Sequence, residues 1–188
     1  MKKTVLVFGF ISGAIMVAFM YGTMLFVKNV GFDKGELLGY TGMVLAFLLI
    51  FFGVRSYREN VGGGTVSFGR AFVVGLLIML IASACYVVAW EIVYYKSNFM
   101  QDFIEKYSAH VVEEVRNSGA SEAAVQAKLQ EMKRFKELYA NPFFNAAVTF
   151  LEPLPPGLIM TLLTALILRR RPKPDNSTMS FPATQAAS

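Results

Sequence analysis

Apolar residues run through this chain in four long blocks, not at the spacing of a helix or strand with one face in water. Thr4 to Val27 holds 24 residues without a charge. A hydrocarbon core about 30 Å thick needs about 20 in helical form. Leu37 to Val54 is a second uncharged block of 18, and Ala71 to Trp90 a third of 20. The fourth, Phe143 to Leu168, is interrupted by Glu152, Pro153, Pro155 and Pro156. Prolines remove backbone donors and clash with the preceding turn inside a helix, but cost little at its start. The fourth transmembrane helix is therefore expected to begin within Pro153 to Pro156, with Phe143 to Leu151 a separate piece at the outer interface. The pattern predicts an all-α fold: a four-helix transmembrane bundle with spans at about 4–27, 37–54, 71–95 and 153–170, in a membrane domain covering residues 1–171.

Between the third and fourth spans lies a different pattern. Ile104, Tyr107, Val111 and Val115 recur every three or four residues, as do Val125, Leu129, Met132 and Phe135. Asn117-Ser118-Gly119 is a turn signal, Ser121-Glu122 suits a helix start, and Asn141-Pro142 suits a stop. Residues 96–152 are expected to form an extracytoplasmic helical segment, most of it a hairpin. The opposite connection, Arg55 to Arg70, contains Gly62-Gly63-Gly64, which forbids a stable helix. Gly64-x-x-x-x-Gly69-Arg70-Ala71 superficially resembles a phosphate-binding loop. It lacks the Lys-Ser/Thr pair and the preceding strand that this chemistry needs. Residues 172–188, rich in Pro, Ser, Thr and Ala, are expected to be a disordered cytoplasmic tail.

Charge orients the bundle. One side carries Lys2, Lys3, Arg55, Arg58, Arg70, Arg169, Arg170, Arg171 and Lys173 against only Glu59 and Asp175. The other side balances: Lys28 and Lys34 face Asp33 and Glu36, and Lys96 to Asn141 holds seven basic and seven acidic residues. Basic residues beside spans favour the cytoplasm, so both termini are expected there. Thr4 to Val27 exceeds the apolar region of a signal peptide, about 7–15 residues, and reads as an uncleaved first span. Trp90, Tyr94, Tyr95, Phe143 and Phe144 mark span edges at headgroup level.

Composition adds little chemistry. The chain is 55% hydrophobic with a formal net charge of +5. Its basic residues flank apolar blocks, so a membrane partner is expected and a nucleic-acid partner is not. One cysteine, Cys85, and one histidine, His110, exclude an internal disulfide and argue against a metal centre. His110 with Ser108 or Ser118 makes a poor hydrolytic set, because neither serine sits on a strained turn. No cofactor and no catalytic residue are expected. Gly9/Gly13 and Gly35/Gly39 are small-residue pairs that let helices approach closely in lipid. Beyond the bilayer itself, another copy or a second membrane protein is the expected class of partner.

Glu91 and Glu152 are the candidate polar or proton site, since ionisable groups within spans are costly and rarely idle. Glu91 lies about 7–8 Å below Lys96 along a helix. A helix start near Pro153 brings Glu152 to a similar depth. Two readings stand: hydrated interfacial carboxylates, which the depths favour, or a buried proton or ion site.

Gly53-Val54-Arg55-Ser56-Tyr57-Arg58, Val66-Ser67-Phe68-Gly69-Arg70-Ala71-Phe72 and Leu151-Glu152-Pro153-Leu154-Pro155-Pro156-Gly157-Leu158-Ile159 together resemble a bacterial membrane family, domain of unknown function 4199. The resemblance covers nearly everything before the tail. It implies a bacterial inner-membrane protein and supplies no activity, cofactor or functional residue. The expected role is structural or accessory, without catalysis. The alternative is a small oligomeric transporter or channel component that uses the intramembrane carboxylates.

Overall fold

The computed structural model describes residues 1–30 and 32–170, with side chains described for 1–25, 34–97 and 104–170. The expected tail at 172–188 lies outside the described residues. Among the described residues seven helices follow in order: α1 (Lys2–Val30), α2 (Phe32–Asn60), α3 (Phe68–Lys96), α4 (Asn98–Asn117), α5 (Glu122–Tyr139), α6 (Pro142–Leu151) and α7 (Leu154–Leu168). The all-α class and the four-span bundle are as the apolar blocks predict. Each of the first three helices extends past its apolar block, because Lys, Arg and Glu propagate a helix well once a buried turn has started it.

Four stretches are long and apolar enough to cross a membrane: Lys2–Leu25, Lys34–Asn60, Phe68–Lys96 and Pro142–Leu168. Their outer faces are apolar too. Phe10, Phe52, Val88, Ile159 and Ile167 are each at least half exposed. Surfaces of that kind along every long helix are costly in water and suit lipid. The protein is a multi-pass membrane protein.

Consecutive spans run in opposite directions. Ile81 and Cys85 of α3 meet Gly9 and Gly13 of α1, so those two helices are parallel. Phe19 and Phe8 of α1 meet Gly42 and Gly53 of α2, so that pair is antiparallel. α2 and α3 form the central pair; α1 packs against both on one side and α7 on the other. Phe47, Ile50, Val54, Ile78 and Met79 fill the middle with no exposure. Gly157 lets α7 come close there: a Cβ on it would lie 2.5 Å from Met79 Cγ and 3.1 Å from Phe47 Cε2.

Both ends are tied. At the end carrying the N-terminus, Gly63 and Gly64 turn the chain with φ of 59° and 83°, and Ser67 caps α3 by accepting from the Arg70 amide. The Arg170 amide donates to the Val66 carbonyl at 2.9 Å, which sets the start of α3 level with the end of α7. At the other end α4 and α5, consecutive helices, pack against each other as a hairpin. Ser121 caps α5, accepting from the Ala124 amide. Ile104 and Val125, taken from the two predicted stripes, are buried.

The fourth apolar stretch is two helices, broken at Glu152-Pro153. The break falls where the prolines place it. The shorter piece, α6, stands against the hairpin-end half of α3 and buries Asn145 and Thr149 fully. It is a separate piece, as expected from the prolines, and it packs on α3.

Candidate functional site

The hairpin does not sit flat on the bundle. Beneath it a cavity of about 380 Å³ opens between the ends of α1, α2, α3 and α6. Such a volume falls in the range of small-molecule sites. Met16, Met20 and Met24 enter from α1, spaced one turn apart on one face. α2 adds Glu36, Gly39, Tyr40 and Met43. α3 contributes Tyr86 and Trp90, again one turn apart, and α6 contributes Val148 and Glu152. The hairpin closes the top with Ile104, Tyr107, Ser108, Phe135 and Tyr139.

Glu152 is placed by the helix break. As the last residue before the proline run it ends α6, and its Oε2 accepts a hydrogen bond of 3.0 Å from the Tyr86 hydroxyl. Its other oxygen accepts no hydrogen bond among the described residues. Tyr86, the bonded partner of Glu152, precedes Glu91 by five residues of α3, so the two acids differ in depth by about 7–8 Å. Glu152 is the deeper, level with Tyr86 and not with Glu91.

Glu91 follows Trp90 by one residue and so turns about 100° away from the cavity-facing side of α3. It is not among the cavity-lining residues. Its Oε1 is buried without a hydrogen-bond partner among the described residues. No hydrogen bond or ion pair joins Glu91 to Glu152 among the described residues, so the two expected site residues stand on different sides of α3.

A second acid, Glu36, joins Glu152 at the cavity. The sequence pattern assigned Glu36 only to the short loop between the first two spans, where it balanced a lysine. Helical extension of α2 back to Phe32 carries it onto the cavity wall. Its period with Gly39, Tyr40 and Met43, at three, four and seven residues, was the available signal.

Beside the cavity runs a polar chain that the apolar-block reading also missed. Trp90 Nε1 donates to Asn145 Oδ1 at 3.0 Å, and Thr149 Oγ1 donates to the same oxygen at 3.2 Å. The threonine has then used its one proton, so the Tyr139 hydroxyl, 3.3 Å away, is the donor to Thr149. Asn145 Nδ2 closes the circuit on the Tyr139 carbonyl at 3.3 Å. α3, α5 and α6 are thereby joined through groups that satisfy one another. Burial pushes the Tyr139 hydroxyl up to about 12, with Thr149 acting in the opposite direction.

His110 lies on the hairpin, 4.0 Å from Glu114. Among the described residues no three His, Cys, Asp or Glu side chains are placed to hold a metal ion. Cys85 packs against Gly13.

No curated protein and no solved structure matches the chain. Residues 7–170, from the first span to the end of the fourth, match the family described as protein of unknown function (DUF4199), and the chain belongs to that family.

Proposed function

We propose that this is a bacterial inner-membrane protein, with both termini in the cytoplasm, that acts as a non-catalytic accessory component by holding a small amphipathic molecule in the chamber under its hairpin. The observation that carries the reading is the chamber itself: about 380 Å³, walled by methionines and aromatic rings with a few polar groups at fixed places. Methionine adapts its shape to apolar guests. The polar chain of Trp90, Asn145, Thr149 and Tyr139 supports a holding role, because its groups are engaged with one another. The excess of lysine and arginine at the end of the bundle that carries the N-terminus supports the orientation, which puts the chamber on the extracytoplasmic side.

Transport through a single copy is disfavoured by the packing below the chamber, where Phe47, Ile50, Ile78 and Met79 leave no exposed surface. A transporter role for Glu152 would need further copies to supply the rest of a path.

Gly39 offers the test. It lines the chamber, and a Cβ placed on it meets no atom within 4 Å. Gly39→Phe should fill the space without disturbing the helices. Trp90 is the sole tryptophan and stands in the wall. A small neutral aromatic hydrocarbon, neopentylbenzene, should therefore change its emission saturably in lipid nanodiscs, and Gly39→Phe should abolish the change. An unsaturable response identical in the two proteins would be bilayer partitioning and would end the chamber reading.

A further inference from the structure

We infer that the chamber's guest is a hydrophobic organic cation, an amine or quaternary ammonium carried on an apolar body. The inference rests on the chamber reading above and adds the sign of the ligand's charge. Among the described residues two carboxylates reach the cavity, Glu36 from α2 and Glu152 from the α6–α7 break, and no lysine, arginine or histidine lines it. Such a wall repels anions and gains by taking up a positive charge, the more so where water is scarce.

Glu152 is held ready for that charge. The Tyr86 hydroxyl fixes one of its oxygens at 3.0 Å, and the other accepts from no described residue. On the hairpin, Lys128 is committed to Glu131 at 2.9 Å. Glu36 forms no ion pair among the described residues either.

The rings supply the second element. Tyr40, Tyr86, Trp90, Tyr107 and Tyr139 line the same space as the acids. The negative faces of such rings hold ammonium groups, tryptophan best, and aromatic walls with a nearby carboxylate suit a cation too weakly hydrated to prefer water. The methionines of α1 and Met43 of α2 leave an apolar side for the rest of the molecule. A metal ion fits this lining poorly, since hard cations need six or more oxygen ligands and the wall is mostly carbon.

The full-length protein in nanodiscs of zwitterionic lipid, titrated through Trp90 emission, tests the inference. The probes are benzyltrimethylammonium and neopentylbenzene, which differ by one nitrogen and one charge. Benzyltrimethylammonium should bind on the order of tenfold more tightly than its neutral isostere. The preference should vanish in the Glu36→Gln/Glu152→Gln double variant while neopentylbenzene binds as before. Should Glu152→Gln impair folding, Glu36→Gln alone, at an exposed position, must still reduce the preference severalfold. Equal binding of the two probes, or a preference that survives both glutamines, overturns the cation assignment and leaves the chamber standing. Binding of neither probe overturns the chamber as well.

Discussion

Tyr86 of α3 and Glu152 at the end of α6 are joined by a 3.0 Å hydrogen bond between residues 66 apart in the chain. The bond crosses the point where the fourth span breaks, so it fixes α6 and α7 against α3 at once. In a bilayer such a bond contributes on the order of 1–2 kcal/mol. Tyr86→Phe should lower unfolding stability in mixed micelles by about that amount. Glu152→Gln keeps an acceptor for the phenol and should cost less. A tyrosine variant as stable as the parent would mean that the bond holds nothing in place.

Asn145 carries more. It accepts from Trp90 and Thr149 and donates to the Tyr139 carbonyl, so its loss strands three groups in a buried place. Asn145→Ala should cost about 2–3 kcal/mol. The damage should be local: protease should cut the α4–α5 hairpin faster, and Trp90 emission should shift as the indole loses its partner. Unchanged proteolysis would show that the hairpin is held by the ring contacts of Tyr139 with Tyr94, 5.5 Å apart, and of Phe135 with Phe144, 6.3 Å apart, without help from the polar chain.

The same chain sets a pH limit. The Tyr139 hydroxyl is raised from an ordinary 10.0 to about 12, chiefly by burial. A phenol whose folded value lies above its unfolded value contributes stability that is complete below pH 10 and is lost as the pH rises toward 12. Stability should therefore fall across that window in the parent protein and fall less in Tyr139→Phe. Unfolding midpoints measured at pH 9, 10 and 11 check the slope.

Orientation has its own test. Reporters that work only in the cytoplasm should be active when fused after Arg58 and silent when fused within residues 104–139. Activity within the hairpin would place the chamber on the cytoplasmic side and reverse the proposed topology.

The four spans were legible because lipid removes the need for a polar face, leaving long uncharged blocks as an unambiguous signal. The break in the fourth span was legible from Pro153, Pro155 and Pro156, since backbone chemistry is local. The site was legible only in part. Glu152 stood out as an acid beside an apolar block, and it does line the chamber. Glu91 stood out for the same reason, yet the helical turn between it and Trp90 points it elsewhere. Glu36 was read only as a loop charge, and Asn145 and Thr149 drew no notice, because their roles depend on which helices meet. Hydropathy measures how a residue suits the bilayer and is silent on its neighbours. Small-residue pairs divided in the same way. Gly9 and Gly13 mark a true helix contact, with Ile81 and Cys85 pressed against them. Gly39, alike in sequence, faces the chamber.

Gly157 and Gly39 make opposite predictions from the same residue type. A Cβ on Gly157 would lie 2.6 Å from Met79 Sδ and 3.1 Å from Phe47 Cε2, both residues fully buried between α2, α3 and α7. Met79 can swing its flexible end aside for a methyl group, but no empty space receives a larger branch. Gly157→Ala should therefore cost about 1 kcal/mol, and Gly157→Val about 2–3, as overpacking pushes α7 off the bundle. At Gly39 the added methyl meets nothing within 4 Å, and alanine restricts the unfolded helix more than glycine does. Gly39→Ala should be neutral or stabilise by up to about 1 kcal/mol. Unfolding of the three variants in one detergent decides the matter: a Gly157→Val protein no weaker than Gly39→Ala would mean that α7 does not pack on Met79 and Phe47 as closely as this.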